Sequence, residues 1–339
     1  MHADKIISEA FSRLTIPHPP ERILVTGAAG FIASNFTRYV LENTQYSVVS
    51  LDRLDDAGNL QRLAELKTRF PTRLQAYWHD LRAPIHADYI RGEFKYIVHM
   101  AAGSHVDRSV RNPLEFITDN CVGTAHLLEW ARRHAPTTKL LYFSTDEVVG
   151  SADGVESFDE LSPMNPLNPY AAAKAAGEVL CPAWANTYGQ PIAITRCTNV
   201  YGPMQHREKF IPLCIERIGR NETIQIHAQG KRSSTRYYVH VDDVSRAVLT
   251  VLTKGGVLGG RGTGRYGISG DREYSNLEVA QRIAGLIGKD LHYELVDFVP
   301  NRPRHDMRYA IKSDRLGALG WMPVADFDDG LAELVRLAG

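Results

Sequence analysis

The amino-acid sequence predicts an α/β protein built on a doubly wound parallel sheet, with a smaller domain in its C-terminal half. Three observations predict this fold. Short apolar runs rich in β-branched residues alternate with helical stretches, the first run leads directly into a glycine-rich turn, and the alternation stops after residue 197. The length of 339 residues suits one large domain or two joined ones.

Each apolar run has the length of one strand. The runs are almost continuously apolar, which is typical of strands covered by helices on both faces of a parallel sheet. They cover residues 22–26, 46–51, 74–78, 96–100, 139–144 and 191–196. The later part is loop-rich and basic, with a helical stretch, VHVDDVSRAVLTVL, and a glycine-rich connector, GGVLGGRGTGRYG. This change of pattern indicates the smaller domain.

Composition and charge exclude several classes of protein. Hydrophobic residues make up 44% of the chain and charged residues 23%, which is the balance of a globular protein. The 39 Lys and Arg residues balance 39 Asp and Glu residues, so no net field favours nucleic acid or an anionic membrane. The four cysteines suit a reducing compartment. With no signal peptide, membrane-spanning run or metal-ligand spacing, we expect a cytoplasmic protein without a metal.

The segment TGAAGFIA (residues 26–33) follows the first strand and opens a helix. In its G-x-x-G-x-x-A spacing, Gly27 permits a tight turn, Gly30 lets the backbone approach a pyrophosphate, and Ala33 lets helix and strand pack closely. The helix N-terminus then faces the phosphates. We favour this Rossmann-type dinucleotide site over a merely structural turn. The expected cofactor contacts here are Gly27, Gly30, Phe31 and Ile32.

Residues at the ends of the next three strands complete the expected cofactor site. Asp52 ends the second strand, where a carboxylate can accept both ribose hydroxyls of NAD. Arg53 beside it could meet the 2′-phosphate of NADP, so NADP is disfavoured and not excluded. The residues expected at the adenine and at the pyrophosphate and nicotinamide ribose are Asp80, Leu81, Ala101 and Ala102.

Tyr170 and Lys174 stand four residues apart in NPYAAAKAAGEV, a spacing that puts both side chains on one face of a helix. A lysine cation and the cofactor's positive ring favour the phenolate of the tyrosine. Tyr170 could then take a hydroxyl proton while hydride leaves the same carbon for the cofactor beside both residues. The alternative is an exposed helix that happens to carry Tyr and Lys, and the dinucleotide pattern favours the catalytic interpretation.

Asp146 and Glu147 stand at the carboxyl end of a predicted central strand, the edge where open α/β sheets bind ligands. Two neighbouring carboxylates favour divided acid and base roles, because repulsion and unequal solvation raise one pKa above the other. The alternative is that both residues only cap the next turn.

These motifs together resemble a known family. TGAAGFIA, Asp52, AAGSHVDRS, STDEVVG, YAAAK, NVYGP, EKFIP and RPRHDMRYAIKSDRLGALGW are similar, in this order, to the extended short-chain dehydrogenases/reductases. Within that family they resemble the nucleoside-diphosphate-glucose 4,6-dehydratases, from about Glu21 to Trp321. The resemblance implies a Rossmann domain over 21–196 and 237–255, a nucleotide-sugar domain over 197–236 and 256–339, and an extension at 1–20.

The resemblance also implies roles for single residues. Tyr170 would remove the C4 hydroxyl proton as hydride passes to NAD, with Thr145 bound to that oxygen and Lys174 supporting the phenolate. Glu147 would then take the C5 proton and Asp146 would protonate the departing C6 hydroxyl, after which the hydride returns to C6. The substrate would be an NDP-glucose, dTDP-glucose before the others.

Further residues are implied for the nucleotide sugar: Ser104, Asn199, Lys209, Phe210, Arg236, Arg302 and His305. Arg232 is a rival for Arg236 in this set. The resemblance also implies a homodimer formed through helices that include the one bearing Tyr170.

Three alternatives stay open at this point. An NDP-sugar 4-epimerase or decarboxylase would need only Tyr170 and Lys174. A 5,6-dehydratase acting on UDP-N-acetylglucosamine would return the hydride to C4. An NAD-binding regulatory or scaffold protein would carry the same residues without turnover.

Overall fold

A parallel sheet of seven strands forms the centre of the protein. The computed structural model describes residues 20–55, 58–154, 156–259, 264–297 and 307–338. Its strands are β1 (Arg22–Thr26), β2 (Ser47–Asp52), β3 (Leu74–Trp78), β4 (Tyr96–His99), β5 (Lys139–Thr145), β6 (Ile192–Cys197), β7 (Asn199–Tyr201), β8 (Ile224–Gln229), β9 (Arg232–Ser233), β10 (Thr235–His240), β11 (Arg265–Ile268), β12 (Glu273–Ser275) and β13 (Tyr293–Asp297). The large sheet has the order β11-β6-β5-β4-β1-β2-β3, with every neighbouring pair parallel. The predicted doubly wound α/β fold is confirmed.

Helices cover both faces of this sheet, which is why most residues of its central strands β1, β4, β5 and β6 are buried, whereas the edge strand β3 is largely exposed. The helices are α1 (Phe31–Asn43), α2 (Leu60–Arg69), α3 (Val106–Arg111), α4 (Pro113–Ile117), α5 (Gly123–His134), α6 (Pro169–Tyr188), α7 (Phe210–Gly219), α8 (Val241–Lys254), α9 (Asn276–Ile287), α10 (Asp314–Gly317) and α11 (Phe327–Ala338). Phe36 and Val40 of α1 pack with Val244 and Val248 of α8 on one face. Apolar residues of α5 and α6 form the core on the other face.

Two small sheets, β12-β10-β7 and β13-β8-β9, form the second part of the protein with α7, α9 and α11. Ile215 of α7, Ile226 of β8 and Ile283 of α9 belong to its separate apolar core. Strand β7 follows β6 after a single residue, Thr198, whose backbone N–H donates to the carbonyl oxygen of Ile268 on β11. The backbone therefore passes directly from the large sheet into the second part at the carboxyl edge of the large sheet.

The edge strand β11 lies where the sequence suggested only the end of a glycine-rich connector. Arg265–Ile268 pairs with Ile194–Cys197 of β6, so the connector returns the chain to the large sheet. The proposed domain boundaries stay a prediction, and residues 1–19 of the proposed extension lie outside the described residues. Within the described ranges, no helix has both the length and the apolar character that crossing a membrane requires.

Helix α6 packs unusually closely on a π-helical turn at Thr118–Val122, which precedes α5. Gly177 makes this approach possible: a Cβ atom built there would lie 2.5 Å from the carbonyl oxygen of Asn120 and 2.5 Å from the hydroxyl oxygen of Tyr142. Because α6 carries Tyr170, this contact determines how far Tyr170 lies from the large sheet.

We expect Gly177→Ala to lower the free energy of unfolding by about 1–3 kcal/mol, since the added methyl group must displace backbone or a buried ring. Gly285→Ala is the matched control, because Gly285 also lies inside a helix and its added Cβ would meet nothing within 4 Å. That change should stabilise the protein by roughly 0.4–1 kcal/mol. Urea unfolding of both variants measures the difference, and equal effects would contradict the packing argument.

Candidate active site

The glycine turn after β1 has the geometry of a phosphate site. Gly27 has φ +71°, and a Cβ there would lie 2.7 Å from the Cα of Ala101, so only glycine fits. The backbone N–H of Gly30 donates to the carbonyl oxygen of Gly27 at 2.9 Å. Gly30 is the N-cap of α1 and provides no side-chain capping bond. The first N–H groups of α1 can therefore bind an anion such as a pyrophosphate, beside Phe31 and Ile32.

Asp52 lies at the end of β2, next to this turn. Its carboxylate accepts backbone N–H bonds from Ala29 at 2.9 Å and Leu54 at 2.7 Å. Burial raises the pKa of Asp52, and these bonds oppose the rise. The neighbouring Arg53 donates to Asp119 through two nitrogens, at 2.6 and 2.8 Å, and to Asp55. The guanidinium that could have met a 2′-phosphate is thus already bound to carboxylates.

The other expected cofactor residues follow β3 and β4. Ala101 donates its N–H to Thr26 Oγ1 at 3.2 Å, which holds the segment carrying Ala101 and Ala102 against the glycine turn. Leu81 is buried, whereas Asp80 binds the side chain and backbone of Arg82. These residues lie at the same edge of the sheet as Asp52, because all the strands are parallel.

Asp146 has a buried carboxyl group at the end of β5. Asp146 and Glu147 begin a 3₁₀ turn directly after β5, where Thr145 Oγ1 hydrogen-bonds Oδ1 of Asp146 at 3.2 Å. Oδ2 of Asp146 is buried without a hydrogen-bond partner among the described residues. Burial, followed by the charge of Glu147, raises the pKa of Asp146 to about 7, against the opposing charge of Arg236. This carboxyl can hold a proton near neutral pH.

Tyr170 lies in the first turn of α6, and Asn168 caps that helix. The phenol of Tyr170 is buried and hydrogen-bonds Thr145. Burial raises the pKa of Tyr170, and the charges of Glu147 and Asp146 raise it further. The hydrogen bond with Thr145 opposes this rise, and the support of the phenolate by Lys174 stays a prediction.

The Lys174 ammonium group points into the protein between β5 and α6. Nζ donates to the carbonyl oxygen of Phe143 at 2.7 Å and lies 4.3 Å from the ring centroid of Tyr142. Burial lowers the pKa of Lys174 to about 8, and the charge of Glu178, one turn along α6, opposes that shift. Lys174 therefore stays largely charged at neutral pH.

Some of the implied nucleotide-sugar residues meet at the same edge. Arg236 is buried, donates to the carbonyl oxygen of Met307 at 3.1 Å and lies 4.7 Å from the ring centroid of Tyr309. Lys209 Nζ donates to the carbonyl oxygen of Ser104 at 3.4 Å. Burial lowers the pKa of Lys209, and the charges of Glu147, Glu208 and Asp107 oppose the lowering, so Lys209 lies near the Glu147 carboxylate.

The remaining residues of this set are less closely placed. Asn199 is exposed on β7 opposite Tyr238, and Phe210 begins α7. Arg302 and His305 lie outside the described residues. Arg232 is exposed on β9, in contrast to the buried Arg236. In the described part of the chain, no group of three His, Cys, Asp or Glu side chains could hold a metal ion.

Sequence reasoning missed two residues that contact Glu147. Asn168 donates to Glu147 Oε2 from its amide at 2.9 Å, and the hydroxyl of Tyr309 donates to the same oxygen at 3.4 Å. The N-cap pattern before Pro169 could have drawn attention to Asn168. For Tyr309, which is 162 positions away from Glu147 in sequence, no local pattern indicates the contact.

Comparisons with known proteins agree with this geometry. A family model described as the NAD dependent epimerase/dehydratase family matches residues 23–260. The dTDP-glucose 4,6-dehydratase of Streptomyces niveus is 40% identical over 325 residues, which covers 93% of this chain and 92% of the relative. The dTDP-glucose 4,6-dehydratase of Neisseria gonorrhoeae is 37% identical over 337 residues, with 93% and 95% covered.

Solved structures show the same likeness. DesIV, a dTDP-glucose 4,6-dehydratase of Streptomyces venezuelae crystallised with NAD and dTDP, has a TM-score of 0.84 at 37% identity, with 93% of this chain and 96% of that chain covered. The UDP-glucose 4-epimerase of Thermus thermophilus in complex with NAD has a TM-score of 0.80 at 27% identity, with 93% and 98% covered. The chain is thus similar to dehydratases and, at lower identity, to epimerases.

The buried acid at position 146 should make stability depend on pH. Asp146 has a pKa of about 7 in the folded protein, whereas an unfolded aspartate titrates near pH 3.9. The folded state therefore binds the extra proton between these values, and stability falls as pH rises through this window. We expect Asp146→Asn to be more stable than the parent by an amount that grows from about pH 4 to pH 7 and then levels off, on the order of a few kcal/mol.

Urea unfolding of parent and variant at four pH values across this window measures the growth. Asp153→Asn, a change at an exposed aspartate seven residues along, is the control and should show little pH dependence. A stability gain in Asp146→Asn that is independent of pH would mean that Asp146 is ionised throughout.

Proposed function

This chain belongs to the NAD dependent epimerase/dehydratase family, and from that premise we propose that it is an NAD-dependent NDP-glucose 4,6-dehydratase. The reaction removes water from C5 and C6 of the sugar and yields the 4-keto-6-deoxy product. Relatives from Streptomyces niveus, Neisseria gonorrhoeae and Escherichia coli, at 36–40% identity, carry the name dTDP-glucose 4,6-dehydratase, which supports dTDP-glucose as the substrate. The neighbouring buried acid and hydrogen-bonded carboxylate at Asp146 and Glu147 carry the proposal.

The residues of the first half fit NAD. The Gly27 turn leaves no room for a Cβ, the start of α1 has N–H groups free of a side-chain cap, and Asp52 offers a carboxylate at the end of β2. We assign the dinucleotide to these residues together with Gly30, Phe31, Ile32, Asp80, Leu81, Ala101, Ala102, Tyr170 and Lys174. Held there, NAD would supply reversible hydride transfer, as an acceptor for the C4 hydride and a donor to C6.

The protein's own groups divide the proton transfers. We assign to Tyr170, which is hydrogen-bonded to Thr145, the removal of the C4 hydroxyl proton, and Lys174 supplies a buried positive charge in the same helix. A 4-keto group makes the C5 proton acidic, and Glu147 is the base for it. Asp146 is the acid that protonates the C6 hydroxyl as it leaves, since its pKa of about 7 keeps a proton available.

The pair at 146 and 147 also favours dehydration over epimerisation. A 4-epimerase moves hydride to and from one carbon and needs one acid–base group there, for which Tyr170 suffices. A second acid and a second base within the same pocket have a use only when a further C–H and C–O bond break. Placing the buried Asp146 beside the half-buried carboxylate of Glu147 costs stability, which is consistent with a chemical role for both.

Substitution of the two acids tests this distinction. We expect Asp146→Asn and Glu147→Gln to keep C4 oxidation, read as absorbance of the reduced cofactor, and to slow loss of water by about a hundredfold or more. Glu156→Gln, at an exposed carboxylate after the turn, is the control. Near-normal turnover in both site variants would favour the epimerase or decarboxylase alternative.

The substrate is tested by mass spectrometry after incubation with dTDP-, UDP-, CDP- and GDP-glucose and with UDP-N-acetylglucosamine. We expect loss of water because Arg236 and Lys209 lie beside the acid pair, where a diphosphate and sugar would bind. The similarity to dTDP-glucose 4,6-dehydratases leads us to expect the fastest loss with dTDP-glucose. Ser104, Asn199, Phe210, Arg302 and His305 complete the proposed nucleotide-sugar set. A dehydrated product without a 4-keto group would mean that the hydride returns to C4. Stoichiometric NAD with no turnover would favour a regulatory protein.

We also propose a homodimer, formed through the helices around Tyr170. Five large apolar side chains are exposed on adjoining segments α3, α4, the π-helical turn and α6: Val110, Leu114, Ile117, Val122 and Val179. Adjoining exposed apolar side chains of this kind mark interaction surfaces. The four unpaired cysteines support a cytoplasmic location, where thiols stay reduced.

Charge placed on this surface should separate the subunits. We expect the double change Leu114→Lys, Val179→Lys to convert a dimer into a monomer in light scattering coupled to size-exclusion chromatography, since each lysine would have to be desolvated in the interface. Leu337→Lys, at an exposed leucine on α11, is the matched control and should remain dimeric. A parent protein that elutes as a monomer would contradict the proposal.

A further inference from the structure

The side-chain amide of Asn168 makes two contacts, one through its oxygen and one through its nitrogen. Its Oδ1 accepts the backbone N–H of Ala171 at 2.8 Å and so caps helix α6. Its Nδ2 donates to Oε2 of Glu147 at 2.9 Å. One side chain thus joins the carboxylate after β5 to the helix that carries Tyr170.

The capping contact alone does not require asparagine. Ser, Asp and Asn cap helices about equally well, because each offers an oxygen to the free N–H groups. Of these three residues, only asparagine also has an N–H donor, on the nitrogen of its side-chain amide. Serine in its place would leave the Glu147 carboxylate without this charge-assisted bond, and aspartate would set a second negative charge against it.

We propose that Asn168 is a positioning residue for this enzyme: it aims the Glu147 carboxylate at the C5 proton and fixes it relative to Tyr170. This inference rests on the proposed function, in which Glu147 is the C5 base. The two groups act on adjacent carbons of one sugar ring, so their relative placement must be held to a fraction of an ångström. A rigid helix cap bonded to the base provides that constraint.

Tyr309 strengthens the arrangement from the second part of the protein. Its hydroxyl also donates to Oε2 of Glu147, at 3.4 Å, and its buried ring lies 4.7 Å from the guanidinium carbon of Arg236. The longer distance makes this the weaker of the two bonds. Tyr309 therefore relates the position of the base to that of the proposed diphosphate-binding arginine.

Other charged and titratable groups also face Glu147. Asp146 adjoins it on the turn, Tyr170 faces it from α6, and Lys209 faces it from the start of α7. All three remain in a variant changed only at position 168. A shift in the pH profile of such a variant therefore reports the lost amide donor.

The decisive variant is Asn168→Ser, which keeps a helix cap and removes the amide donor. We expect C4 oxidation of dTDP-glucose within about twofold of the parent, and loss of water slowed about tenfold to a hundredfold, the range for a hydrogen bond to a charged group. The reduced cofactor should accumulate in a single turnover, and solvent deuterium should enter C5 more slowly. In the pH profile of the elimination rate, the acidic limb should move to higher pH, because the ionised carboxylate of Glu147 has lost a hydrogen-bond donor.

Tyr309→Phe gives a second, independent measurement should Asn168→Ser fold poorly. It keeps the ring beside Arg236 and removes only the hydroxyl, so we expect a slowing of elimination by a few-fold with the substrate KM unchanged. Tyr238→Phe is the matched control, because it removes a phenol that binds Asn276 in the same part of the protein and is not in contact with Glu147. It should leave both steps unchanged.

The outcomes separate this proposal from the function on which it rests. If the parent dehydrates the sugar and Asn168→Ser eliminates water at the parent rate, the positioning role is wrong and the function stands. If the rates of oxidation and elimination decrease equally in a variant with the parent's melting temperature, Asn168 positions helix α6 as a whole and not Glu147 in particular. The proposal is then again overturned. If the parent oxidises and dehydrates none of the sugars, the function fails and this inference with it.

Discussion

The close contact between helix α6 and strand β5 is the constraint on which the active site depends. Gly177 lets α6 approach the π-helical turn and the hydroxyl of Tyr142. The phenol of Tyr142 donates to the carbonyl oxygen of Lys174, and the Lys174 ammonium donates back to the carbonyl oxygen of Phe143. A buried ion pair from Glu178 of α6 to Arg196 of β6, at 2.9 Å, extends the contact to the next strand. Any loosening here would move the catalytic phenol relative to the turn after β5.

The same close packing shifts the pKa values of the buried titratable groups. Removal of water raises the pKa of a buried acid and lowers that of a buried base, and both shifts occur at this junction. The pKa of Asp146 rises to about 7, that of Lys174 falls to about 8, and that of His99 falls to about 3. His99 is thus a neutral hydrogen-bonding group between Thr26 and Thr124. Burial costs folding stability at Asp146, and in return it provides an acid that is still protonated at neutral pH.

Sequence patterns predicted those parts of the site that are contiguous in the chain. The turn at Gly27 and the spacing of Tyr170 and Lys174 follow from local backbone geometry, which a short segment determines by itself. The raised pKa of Tyr170 could not be predicted, because it depends on which groups exclude water after folding. Strand β11 was missed because glycines hide a short strand whose pairing comes from β6, far earlier in the chain. Tyr309 was missed because its contact with Glu147 exists only in three dimensions.

The division of roles between the neighbouring acids follows from their unequal surroundings. Asp146 is buried, and its Oδ2 has no hydrogen-bond partner within the described residues, so little compensates its charge and the neutral form is favoured. Glu147, one position later, receives two donors on one oxygen, and each donor stabilises the ionised form. Two adjacent carboxyl groups would otherwise compete for a single proton. Because their environments differ, the proton stays on Asp146, which makes that residue the acid and leaves Glu147 as the base.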